Sequence, residues 1–143
     1  MVANRKLMKE FFNRYNKEYF GNKLPQCSFG ASGSFKELGY FSCYKNLYKP
    51  GKYHQFRITI SYRYDFTEEE FKHILLHEML HLYLVVKKSA LEGNLDHGHL
   101  FLQTMNEFNK KYNLNIAVGY SHAMKRAPGT SRLLWWWHNQ AVG

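Results

Sequence analysis

Acidic residues, cysteine and long apolar runs are all scarce in this sequence. Eleven Asp and Glu stand against 20 Lys and Arg, which leaves a formal net charge of +9. That balance favours anionic partners, DNA among them, through counterion release and steering. The plainer reading is a basic, soluble surface, since the basic residues are spread along the chain rather than massed. Cys27 and Cys43 are the only cysteines. Two thiols exclude a disulfide scaffold and a four-cysteine zinc site, and they are expected to be reduced, as in the cytoplasm. The longest apolar run, residues 82–86, is far too short to span a membrane. The first ten residues lack the apolar core of a signal peptide. The expectation is a soluble cytoplasmic protein with no membrane partner.

Apolar side chains are plentiful. Hydrophobic residues make up 45% of the 143 and aromatic residues 17%, enough to bury one core. Residues 4–20 read as a first helix, with Met8, Phe11, Phe12, Tyr15 and Tyr19 at three- and four-residue steps. Gly21 and Asn22 end it, and Pro25 prevents its resumption. Residues 27–32 and 39–44 are short candidate strands. The clearest strand has Phe56, Ile58, Ile60 and Tyr62 alternating with Gln55, Arg57, Thr59 and Ser61, which predicts a half-buried strand. A long helix over 68–87 and another opening near Asp96 follow, the latter with Phe101, Met105, Phe108 and Tyr112 on one face. Residues 115–120 are a candidate last strand. The order predicts an α+β fold built on a small antiparallel sheet. We place the domain at 1–126 and a Trp-rich tail, with Trp135, Trp136 and Trp137, at 127–143.

The long helix carries H-E-x-x-H as His77, Glu78 and His81. Residues four apart stack on one helix face, so both imidazoles can reach one zinc ion. Glu78 can act as general base on a metal-held water without ligating the metal. Thr67 and Glu70 form a capping box at the start, and Glu68 and Glu69 complement the helix dipole. Phe71, Ile74, Leu75, Leu82 and Val85 supply a buried face. A catalytic zinc needs a third protein ligand. The metzincin spacing is excluded, because Leu84 and Lys87 occupy its Gly and His positions. Glu92, Asp96, His97, His99 and Glu107 are the downstream candidates, with Asp96 also able to orient an imidazole or cap a helix. His73, one turn before His77, reads as a neighbour of the site.

His77-Glu78-Met79-Leu80-His81, then Asp96-His97-Gly98-His99-Leu100-Phe101, resembles the SprT-like metalloprotease family. Its members show H-E-x-x-H and, past a variable loop, H-G-x-x-[F/W]. The opening stretch is similar too, with Tyr19-Phe20 and Leu24-Pro25 matching a Y-F-x-x-x-L-P turn, and Leu38-Gly39-Tyr40 and Ile58-Thr59-Ile60-Ser61 matching the sheet. The resemblance implies a minimal zincin: Zn2+ held by His77, His81 and His97, with Glu78 as the catalytic base; it favours His97 over His99 because His97 precedes the glycine, and the plainer reading of His99 is a surface residue at the helix start. It further implies a peptidase acting on protein substrates, with DNA-associated proteins among the candidates. The cysteine ribbon that follows the core in many members has no counterpart here, because no cysteine follows Cys43. The alternatives are a nucleic-acid-associated binding module with a structural zinc, which would not need Glu78, and a zinc hydrolase of a non-peptide amide.

Overall fold

The structure is a computed structural model in which residues 1–49, 52–88, 98–119 and 124–128 are described. Helix α1 spans Arg5–Phe20. The Asn4 side chain accepts from the Leu7 N–H at its start, and Gly21 ends it in the left-handed region at φ 59°. Met8, Phe11, Phe12 and Tyr15 are buried, as the spacing predicts; Tyr19 is only half-buried, and Phe20 beside it is buried instead. Asn16, on the same helix, is buried for a different reason. Its amide donates to the Leu24 carbonyl and its oxygen accepts from the Leu24 N–H, both at 3.1 Å, and so closes the turn after the helix.

Three strands follow: β1 (Ser28–Ser32), β2 (Gly39–Lys45) and β3 (Tyr53–Ser61). The sheet order is β1-β3-β2, with β2 antiparallel and β1 parallel to β3. The all-antiparallel sheet expected from the sequence is therefore corrected to a mixed one. The reason lies in residues 33–38, which cross the end of β3 instead of turning back beside β1. The Leu38 and Ser32 carbonyls accept from the Ser61 and Tyr62 N–H groups at 2.8 and 2.9 Å. This leaves β3 in the middle and β2 on an edge. As the central strand, β3 is not simply half-buried: Ile58, Thr59, Ile60 and Ser61 are all buried, while Tyr62 is exposed.

Helix α2 spans Glu68–Lys88. Its capping box forms: the Thr67 N–H donates to Glu70 Oε1 at 2.8 Å, and the Glu70 N–H to Thr67 Oγ1 at 3.1 Å. The five predicted face residues are buried, and so are Leu76, Met79, Leu80 and Leu84. From Phe71 to Leu82 only Lys72 escapes full burial, because the sheet, α1 and α3 all pack on this helix. No described helix is long and apolar enough to cross a membrane.

Helix α3 spans His99–Tyr112 and ends at Asn113, at φ 53°. Phe108 and Tyr112 pack on Tyr19 and Phe20 of α1. The candidate strand at 115–120 does not form among its described residues. Here the chain is held by side chains, not by a partner strand: Asn109 accepts from the Ile116 N–H and donates to its carbonyl, both at 2.9 Å. Residues 125–127 return beside 63–65, where the Asp65 N–H donates to the Lys125 carbonyl at 2.8 Å and the Ala127 N–H to the Arg63 carbonyl at 3.0 Å. The tail with Trp135, Trp136 and Trp137 lies outside the described residues.

Replacing Asn16 by Ala leaves both Leu24 backbone groups buried without their partner. The expected loss is about 1–3 kcal/mol of stability. Urea unfolding of Asn16→Ala against wild type measures it, and a loss below about 0.5 kcal/mol would show that water meets those groups.

Candidate metal centre

His73, His77 and His81 fall at four-residue steps on α2, and all three are buried. The rings of His77 and His81 lie 5.1 Å apart between centroids. His77 Nδ1 is 2.7 Å from the Ala117 carbonyl oxygen. A carbonyl only accepts, so Nδ1 carries the proton and the Nε2 lone pair is turned to the other side. This is the outer hydrogen bond that fixes tautomer and ring orientation in metal-binding histidines. Glu78 Oε1 lies 3.8 Å from that Nε2. The separation is too long for a hydrogen bond.

His81 is held by stacking. Phe101 of α3 lies 4.2 Å from its ring at 21°, and Phe41 of β2 lies 6.5 Å away at 4°. Phe101 also packs on His77 at 4.9 Å. The first turn of α3 therefore sits against both imidazoles. His99, the first residue of that turn, is exposed. Asp96 and His97 lie outside the described residues, as does Glu92. Glu107 is exposed on α3 and lines a second cavity between α1, α2 and α3. His73 faces a separate set of partners. Its Nε2 lies 3.4 Å from the Asn115 N–H and 3.3 Å from Glu69 Oε1. Burial lowers its pKa, which the Glu69 charge opposes only in part. The neutral ring accepting from Asn115 is thus favoured over an ion pair with Glu69.

Glu78 is the unusual group. Burial, with a smaller contribution from the Glu37 charge, pushes its carboxyl up from 4.5 to about 8. A buried carboxyl of this kind is costly without a cation beside it. Two buried imidazoles with one tautomer fixed, next to a buried carboxyl, fit a zinc ion in their chemistry. Among the described residues the donors fall short of a full site: no group of three or more His, Cys, Asp or Glu is placed to hold a metal.

These residues floor a cleft of about 490 Å³ between β2, α2, the 33–38 crossing and residues 118–119. One residue that the motif does not reveal shapes it. A Cβ on Gly39 would come 3.1 Å from Ile74 Cγ2 and 3.5 Å from Glu78 Cγ. Gly39 thus lets the edge strand pass directly over α2, and only the bare glycine in Leu38-Gly39-Tyr40 could have signalled it. Tyr64 contributes from farther off, its hydroxyl donating to the Phe35 carbonyl at 2.7 Å and tying down the rim.

The sequence model of the SprT-like family matches residues 8–122, most of the chain, so this protein belongs to the SprT-like family. No curated protein matches it.

The Glu78 shift predicts a pH-dependent penalty. The folded carboxyl keeps its proton up to about pH 8, whereas the unfolded one loses it near 4.5. Its contribution to stability is therefore whole below about 4.5 and is lost as pH rises through 8. In chelator-treated protein, Glu78→Gln should raise the melting temperature at pH 9 and change it little at pH 4. Equal shifts at both pH values would mean that burial does not govern this carboxyl.

Proposed function

We propose that the chain is a zinc-dependent peptidase, a finer reading than family membership alone. One observation carries it: the buried Glu78 carboxyl stands 3.8 Å from the Nε2 of His77, whose ring Ala117 orients, at the floor of a cleft bordered by an edge strand. His77 and His81 would hold the ion with His97 as the third ligand. What supports His97 is its place just before Gly98 and the packing of Phe101, four residues on, against both imidazoles.

Bound zinc would acidify a water and polarise the scissile carbonyl. Glu78 takes the proton from the attacking water and later delivers it to the leaving amine. Ala117 keeps His77 in the tautomer that presents Nε2, and Phe41 and Phe101 keep water from the back of His81. The outer edge of β2 has no partner strand among the described residues, and Gly39, Tyr40 and Phe41 line the cleft. An extended polypeptide adding to that edge would pass its backbone over Glu78. Family membership and this edge support protein substrates, and the net charge of +9 supports DNA-associated ones among them. A structural zinc in a nucleic-acid-binding module would leave Glu78 buried at a cost without a use.

Purified protein should carry about one zinc per chain. His97→Ala should lower that content far more than His99→Ala. Elemental analysis of both variants reads it, and a larger loss at His99 would move the third ligand to the helix start.

Glu78→Gln should retain zinc and fold but lose proteolysis of an unstructured protein, assayed with and without DNA. Loss of a general base is worth about 10²–10⁴ in rate. Equal cleavage by zinc-loaded wild type and variant would end the peptidase reading. Zinc binding without cleavage by either would favour the binding module.

A further inference from the structure

The cleft extends beyond the histidines towards the start of α2, and the wall at that end takes no part in holding a metal. Ile74 stands one helical turn before Glu78 on the same face of α2. With Phe35, Leu38, Tyr64 and Val118 it lines this end of the cleft, and all five side chains are apolar or aromatic. Charge enters only at the rim, where Lys36 and Glu37 are exposed.

The wall is held in place from behind. Two guanidinium groups pack on the Phe35 ring, Arg126 at 4.8 Å and Arg63 at 5.2 Å from its centroid. Arg63 is itself buried, and its Nε donates to the Gly33 carbonyl at 3.0 Å. Tyr64 meets Phe35 edge-on at 6.2 Å and spends its hydroxyl proton on the Phe35 carbonyl, so it offers the cleft its ring. The Ser61 hydroxyl donates to the Ser34 carbonyl at 2.5 Å and ties the crossing to β3. The rings are thus set before anything enters, as a selective pocket requires.

Strand and helix together decide which part of a polypeptide would reach this wall. Gly39 lies against Ile74 and Glu78, and Phe41, two residues on, stacks near His81. So β2 and α2 run the same way past the site. An antiparallel strand on the free edge of β2, the stronger kind of pairing, would run in reverse, from Phe41 and His81 past Glu78 to Ile74.

We infer that this end of the cleft receives a large apolar side chain such as Phe or Leu, and that the bond cut is the one on the N-terminal side of that residue. Water is consumed: the preceding residue keeps the new carboxylate, and the apolar residue leaves as a new N-terminus with a free amine. This rests on the peptidase reading and narrows its substrates to extended segments that carry such a residue. The five wall side chains gain contact with a phenyl or isobutyl group, whereas a buried ammonium or carboxylate would find no partner among them.

The test uses the full, zinc-loaded chain carrying Glu78→Gln and labelled decapeptides of Gly and Ser with one central Phe, Leu, Ala or Lys. By fluorescence anisotropy the Phe and Leu peptides should bind about tenfold or more tightly than the Ala and Lys peptides. Val118→Glu, at a position 40% exposed and so tolerant of charge, should remove most of that margin. Wild type given the same peptides should release fragments that begin with Phe or Leu, read by mass spectrometry. Equal binding of the four peptides, tighter binding of the Lys peptide, a margin that survives Val118→Glu, or fragments that end with the apolar residue would each overturn the inference. Cleavage without preference would end it and leave the peptidase reading intact. Preferential binding that Val118→Glu removes, with no cleavage by wild type, would uphold the pocket and end the peptidase reading.

Discussion

Everything in this fold answers to the burial of α2 on all sides while its middle carries two histidines and a glutamate. A helix in that position is ordinarily apolar throughout. Here the polar groups are retained, and their surroundings are arranged for them. The Ala117 carbonyl meets one ring nitrogen of His77, two phenyl rings enclose His81, and Glu78 faces a cleft instead of a packed layer. The aliphatic residues at the remaining positions anchor the helix against α1, α3 and the sheet.

Much of this was legible in the sequence because it is local. The α1 periodicity, the Thr67–Glu70 box and the H-E-x-x-H spacing are each written within a few residues, and each reappears as expected. The parallel pairing of β1 was not legible. It depends on where six crossing residues are tied, through Ser61 and Tyr62, and no periodicity encodes that. Residues 115–120 read as a strand, yet over 115–117 Asn109, His77 and His73 satisfy the backbone instead of a ladder. Gly39 was visible as a glycine but not as a contact of Glu78, since that contact joins residues 39 apart in the chain. Of the candidate site, His77, Glu78 and His81 come together, whereas His97 rests on the family pattern.

The sheet serves its two sides differently. Phe29, Ile58 and Phe41 stand in register across the three strands, and Phe29 and Phe41 pack on Phe12 of α1 and His81 of α2. The other side carries Arg57, with a bulge at Gln55, at φ 55°, where β3 places two residues opposite one of β2. One strand thus contributes to the core, the cleft and a charged outer surface at once.

The hydrogen bond from His77 to Ala117 spans 40 residues. The motif helix can form early from its own cap and periodicity, but the ring orientation it needs arrives only when α3 has docked and the following segment has been bracketed by Asn109. A nascent chain that has emerged only as far as α2 would therefore display the whole motif and still lack the partner that turns the His77 ring. Orientation of that ring becomes a late event, gated by long-range closure.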